Sequence, residues 1–264
     1  MDRLLAPIVL FVCFYVATFL VLAWSGLGIP YWSPLAAAAV ATTGAIAISE
    51  HGQWPLGLFV RPRLAVAEAL LGIAFGVALI GFGAWLIVLT SDAHHARGSG
   101  FPWSELFAIY LPAALHEELV FRGYAFQKLL RWNRAVALFG VALVFAALHA
   151  GNTSVTPLAL ANVFLGGILL GLAYERYERL WFPIGLHLSW NLMSGPILGH
   201  EVSGYTSART VFVLVEHGPA WLTGGGFGIE GSAWMTLVEL LAIAALRISS
   251  ARRAFSTAEQ QQPS

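Results

Sequence analysis

Apolar residues fall in eight blocks along the chain, near 4–24, 32–49, 65–90, 103–127, 135–150, 157–174, 181–198 and 233–248. Runs longer than about 18 apolar residues indicate membrane spans. The shorter blocks fall below the roughly 20 residues that a straight helix needs to cross the hydrocarbon core. Those blocks predict buried or broken helices. The pattern therefore predicts an all-α, polytopic membrane protein with about eight transmembrane helices. The first block, in "MDRLLAPIVLFVCFYVATFLVLAW", is longer than a signal-peptide core and has no small-x-small cleavage site after it, so it reads as a retained span.

Composition agrees with a membrane setting. Charged residues make up 11% of the 264, against about 25% in an ordinary soluble domain, and the mean hydropathy is +0.73. A net charge of zero leaves no footprint for nucleic acid. The single Cys13 excludes an intramolecular disulfide or a cysteine metal cluster, and reads as a lipid-facing or packed thiol.

The placement of basic residues gives an expected orientation. If the spans alternate, Arg3, Arg61, Arg63, Lys128, Arg131, Arg134, Arg176, Arg179, Arg247, Arg252 and Arg253 share one side. Arg97 and Arg209 lie opposite, and Arg122 is intramembrane. Both termini are then expected in the cytoplasm. Residues 1–250 form one expected integral membrane domain, with a glycine-rich extracytoplasmic loop at 199–232. The tail at 251–264 is polar, and disorder is expected there.

Polar groups inside spans are costly, which makes each one a functional candidate. The first set is in "LPAALHEELVFRGYAF". Glu118 and Arg122, four residues apart, share a helix face and can neutralise each other. Glu117 points about 100° away and lacks that partner. A base tuned by an apolar pocket suits proton abstraction from water. Helix stapling is the favoured reading for Glu118 and Arg122, and the base for Glu117. The second set is "FAALH", with Phe145 and His149 one turn apart. A lone histidine at a helix end is more often an interior or interface residue. The third is "HLSWN", where His187 and Asn191 project together. They can donate hydrogen bonds to an oxyanion, or simply bond between helices. Rise along each helix, counted from the basic edge, puts Glu117 about 16 Å deep, Asn191 about 18 Å, His149 about 22 Å and His187 about 12 Å, and ordinary tilts of about 20° bring them toward one layer. The residues can therefore gather around an intramembrane polar cavity. Gly167 and Gly171 form a small-residue face for close helix approach, and Trp181 reads as an interfacial anchor. Glu239, in the last block, has no evident partner beyond helix packing.

Two rival motifs fail. "HEELV" has Val120 where a zinc protease needs its second histidine, and no G-x-S-x-G elbow is present.

In this order, "EELVFRG", "FAALH" and "HLSWN" resemble the E-E-x-x-x-R, F-x-x-x-H and H-x-x-x-N motifs of the CPBP family of intramembrane proteases, which includes the CAAX prenyl protease 2 and bacteriocin-processing groups. The resemblance covers about residues 103–198. It implies an intramembrane glutamic endopeptidase. Glu117 would activate water with help from His149, His187 and Asn191 would stabilise the oxyanion, and Glu118, Arg122 and Phe145 would support the site. The implied partners are the lipid bilayer and a membrane-embedded or lipidated peptide or protein. The implied work is CAAX-type processing or bacteriocin maturation and immunity. Short loops bounded by Lys and Arg, and the compact length, point to a bacterial plasma membrane.

No cofactor is expected. A zinc-dependent variant would use Glu117, His149 and His187 as ligands, although no familiar ligand spacing is present. A reading from another class is a non-catalytic membrane scaffold or immunity protein whose polar groups only hold helices together. A small proton-coupled transporter lacks the paired broken helices and internal symmetry of that class.

Overall fold

The computed structural model describes residues 2–54 and 56–260, with side chains described at 4–54 and 56–247. The first three apolar blocks are single helices, α1 (Asp2–Trp24), α2 (Trp32–Ser49) and α3 (Pro62–Thr90). After strand β1 (His94–Arg97), the fourth block is split. It runs through α4 (Trp103–Glu105), a π-helical turn at Leu106–Tyr110, and α5 (Leu111–Phe121). A separate helix α6 (Tyr124–Trp132) follows. The fifth block is a π-helical turn at Val136–Gly140 leading into α7 (Val141–His149). Helix α8 (Pro157–Tyr177) is continuous, and α9 (Trp181–Leu192) ends in a third π-helical turn, Met193–Ile197. Strand β2 (Phe212–Val215), the short α10 (Ala220–Thr223) and α11 (Ala233–Gln260) complete the chain. Residues 261–264 of the expected disordered tail lie outside the described residues, as do the side chains from 248 onward.

The protein is all-α apart from one ribbon. Among the described residues, α1, α2, α3 and α8 are long and apolar enough to cross a membrane by length and composition. Large apolar side chains face outward along several helices, among them Val9, Val16 and Leu20 on α1, Leu70 and Trp85 on α3, and Leu143 and Leu148 on α7. An outward apolar belt of this extent suits lipid rather than water. This is an integral membrane protein. Cys13 is exposed on α1 within that belt.

Ion pairs and ring contacts show which helix ends share a side. Lys128 on α6 lies 2.6 Å from Glu50 at the end of α2, and Tyr124 donates to the same carboxylate. Arg179 before α9 pairs with Glu68 near the start of α3, and Arg134 pairs with Glu175 near the end of α8. Trp181 donates to the Leu58 carbonyl at this edge. At the opposite ends, Trp32 reaches the Phe107 carbonyl and Trp234 reaches Thr90. The helices therefore alternate, with most basic residues gathered at one edge.

Close approach sets the position of α9. A Cβ added at Gly72 on α3 would lie 2.2 Å from the Phe182 carbonyl oxygen, and one at Gly185 on α9 would lie 2.2 Å from the Ala69 carbonyl oxygen. The two backbones touch, which fixes α9 and the histidine two residues beyond Gly185. The small-residue face on α8 acts similarly, since a Cβ at Gly167 would meet Ala142 at 2.9 Å.

The fourth block differs from the sequence expectation. Helix α5 stops at Phe121, and Arg122 adopts a non-helical conformation at its end. Helix α6 buries Tyr124, Phe126 and Gln127, holds Lys128 against Glu50 and leaves Arg131 exposed. Arg131 lies 4.1 Å from the Trp54 ring centroid. A depth for Glu117 counted along one straight helix from Lys128 therefore does not apply.

The β-ribbon was not foreseen. β1 pairs antiparallel with β2, with His95 opposite Leu214 and His94 opposite Val215. His95 and His200 stack edge to face behind it, their ring centroids 5.8 Å apart. Each has a buried Nε2 with no hydrogen-bond partner among the described residues. Burial, with a smaller contribution from His95, pushes the His200 imidazole down to about 3. The unfolded chain then takes up a proton near the ordinary histidine pKa of about 6.5, whereas the folded loop resists it until near 3. Stability from this group is complete above the unfolded value and is lost progressively as pH falls below it. Amide protection factors at 94–97 and 212–215, taken against the intrinsic exchange rate at each pH, should fall between pH 7 and pH 5, and His200→Phe should flatten that dependence.

Candidate active site

The three motifs converge on one cavity of about 640 Å³. Glu117, Phe145, His149, His187 and Asn191 all line it. Glu118 and Arg122 sit behind its wall, at 0% and 1% exposure. None of the seven sequence-selected residues lies elsewhere.

The wall is built outward from Arg122. Its Nη1 donates to Glu118 Oε1 at 3.0 Å, and its Nη2 donates to the Gly167 carbonyl at 3.0 Å. The guanidinium also lies 5.1 Å from the Phe145 ring centroid. One buried cation thus ties α5, α7 and α8 together. The ion pair expected from the i, i+4 spacing is present, and it has a further member. Glu118 Oε1 also accepts from His187 Nδ1 at 2.8 Å. This carboxylate therefore neutralises the arginine and orients the imidazole.

A carboxylate can only accept, so the neutral His187 carries its proton on Nδ1. Its Nε2 points toward Glu117, whose Oε2 is 3.7 Å away. His149 is held differently. Its Nδ1 donates to the Phe145 carbonyl at 2.7 Å, which leaves Nε2 with a free lone pair in the neutral ring. Phe145 packs between the two histidines, 4.6 Å from the His149 ring and 6.4 Å from the His187 ring. Each imidazole thus has one nitrogen anchored. Such anchoring is what preorganisation of a polar site requires.

Other lining residues were not legible as site residues. His116 Nε2 and the Tyr15 hydroxyl are 2.8 Å apart, which joins the peripheral α1 to the motif helix α5. Tyr110, which lines the cavity, shares a hydrogen bond of 2.5 Å with Ser207. The far end holds Glu230, which accepts from Trp190 Nε1 at 2.9 Å, from the Ser203 backbone N–H at 2.9 Å and from the Ser203 hydroxyl at 2.6 Å. Glu239 lines this end too, at 1% exposure. Trp190 adjoins Asn191 in the third motif, but nothing in the local pattern linked it to a carboxylate in a glycine-rich loop. The loop itself forms part of the lining, through Val202, Ser203, Gly204 and Tyr205.

For a metal, the potential ligands lining the cavity are His116, His149, His187, Glu117, Glu230 and Glu239. Among the described residues, no group of three or more His, Cys, Asp or Glu side chains is gathered tightly enough to hold an ion.

No curated protein matches the chain. Residues 99–193 match the family model described as type II CAAX prenyl endopeptidase, Rce1-like. That segment begins before α4 and ends just beyond α9, so it contains all three motifs and each of the seven residues around the cavity. Over this segment the chain is similar to an Rce1-like CAAX prenyl endopeptidase domain.

Proposed function

We propose that the protein is a glutamic-type intramembrane endopeptidase, in which Glu117 activates water against a peptide bond of a membrane-associated substrate. The single observation that carries this reading is the placement of Glu117. It lines the cavity with only a 3.7 Å approach to His187, while the adjacent Glu118 is committed to Arg122 and His187.

In the proposed reaction, a water molecule sits between Glu117 and the free Nε2 of His149. Glu117 takes one proton from it, and the resulting hydroxide attacks the scissile carbonyl carbon. The carbonyl oxygen becomes an oxyanion, which accepts hydrogen bonds from Asn191 Nδ2 and His187 Nε2. The second donor exists only when His187 is doubly protonated, because its neutral form keeps the proton on Nδ1. Glu118 beside Nδ1 and Glu117 beside Nε2 supply the counter-charges for that imidazolium. Collapse of the intermediate breaks the C–N bond, and the leaving amine takes the proton held on Glu117. Phe145 and Arg122 act as positioning residues.

We place both termini in the cytoplasm of a bacterial plasma membrane, from the basic edge. The substrate is a membrane-embedded or lipidated peptide or protein, in CAAX-type processing or in bacteriocin maturation and immunity. The reaction needs no metal in this reading. A zinc-dependent version would require Glu117, His149 and His187 to draw in around one ion.

Native membrane peptidomes from cells carrying the protein with Glu117 or with Glu117→Gln test the function. Peptides cut within or beside apolar segments should be present only with Glu117, and strong chelators should leave them unchanged. Identical peptidomes would support a scaffold instead, and loss of cleavage on chelation with recovery on added zinc would establish the metal version.

A further inference from the structure

The cavity has a second polar end that the proposed hydrolysis does not use. Among the described residues, three carboxylic side chains line the cavity, Glu117, Glu230 and Glu239, and no lysine or arginine does. The two carboxyls at the far end differ. Glu230 accepts three hydrogen bonds, from Trp190 and from the backbone and hydroxyl of Ser203. Glu239 is 1% exposed, and its Oε2 has no hydrogen-bond partner among the described residues.

A buried carboxyl with an unmatched oxygen is costly unless a donor reaches it. The space in front of it comes from Gly166 on α8, where an added Cβ would lie 3.4 Å from Glu239 Oε1. Gly166 also lines the cavity. An unsatisfied acceptor, a neighbouring carboxylate and an open approach together fit a cationic donor.

We propose that the Glu230–Glu239 end of the cavity is a specificity subsite that binds a lysine or arginine side chain of the substrate. The identity of the occupant rests on the protease reading above, whereas the cation preference of the subsite does not. Ser203, which bonds Glu230, belongs to the glycine-rich loop that lines the cavity. Trp190, which also bonds it, stands one helical turn from His187 on α9. The basic residue would therefore lie at the edge of the substrate's apolar segment, within a few residues of the cut bond.

The test uses the purified full chain in micelles and two matched probes, hexylguanidinium and the neutral hexylurea, titrated against the thermal unfolding midpoint. Wild type and Glu117→Gln should bind the cation about tenfold or more tightly than the urea. Glu239→Gln should abolish that preference and, without ligand, should unfold at a higher temperature, because an unmatched buried carboxyl is gone. Should Glu239→Gln fail to fold, Gly166→Val decides, since it keeps the carboxyl but fills its approach, and it too should lose the preference. Equal binding of the two probes by wild type would overturn the subsite. So would a cation preference that survives both subsite variants, or one that disappears in Glu117→Gln. Failure of the protease reading would appear separately, as unchanged peptidomes in Glu117→Gln with the cation preference intact.

Discussion

Glu117→Gln should lower turnover of any cleaved substrate by about 10²- to 10⁴-fold, the usual contribution of a positioned general base. The unfolding midpoint should hardly move. Glu117 has a quarter of its side chain exposed, and it approaches His187 Nε2 only to 3.7 Å. Little of the fold depends on it. His149→Ala should also reduce turnover while sparing the fold, because its anchoring bond is local, to the Phe145 carbonyl one turn back. Turnover in Glu117→Gln within about tenfold of wild type would end the base assignment, and another carboxylate lining the cavity would then have to be considered.

Arg122→Ala should have the opposite profile, with a loss of stability of about 3–5 kcal/mol, as expected when one partner of a buried ion pair is removed. Glu118 would be left at 0% exposure beside an imidazole alone, and the Gly167 carbonyl would lose its donor. A paired replacement, Arg122→Met with Glu118→Leu, separates the two roles of this wall. Stability should largely return, because well-packed apolar residues often substitute for a buried ion pair. Activity should not return, because His187 would have no acceptor on Nδ1 to fix its tautomer and direction. Unfolding in detergent and turnover of the same preparations read the two effects. Full activity in the paired variant would show that Glu118 does not position His187.

Much of this site could be read from the sequence, because helical spacing and the cost of buried charge are local facts. The pairing of Glu118 with Arg122 follows from four residues of separation, and the freedom of Glu117 follows from its 100° offset. The four long helices were equally legible from their apolar length. The bond from His187 to Glu118 was not, because it depends on where α9 lies against α5, and that is set by backbone contact at Gly72 and Gly185. The break after Phe121 was hidden because Tyr124, Ala125 and Phe126 prolong the apolar run by composition while α6 buries only one face. Glu239 had no partner in the sequence, and its neighbour Glu230 is delivered by a loop with no periodic signal. The ribbon consists of four-residue strands separated by more than a hundred positions, beyond the reach of any local pattern.

That ribbon has a consequence for biogenesis. His94 to Arg97 and Phe212 to Val215 bracket the interval that contains α5, α7, α8 and α9. A contact that closes so long a stretch carries a large entropic penalty until the intervening chain is compact. The two strands therefore meet late in maturation, after those helices have inserted and docked. Exchange protection at 94–97 would serve as a clock for the newly made protein, marking when it is fully assembled.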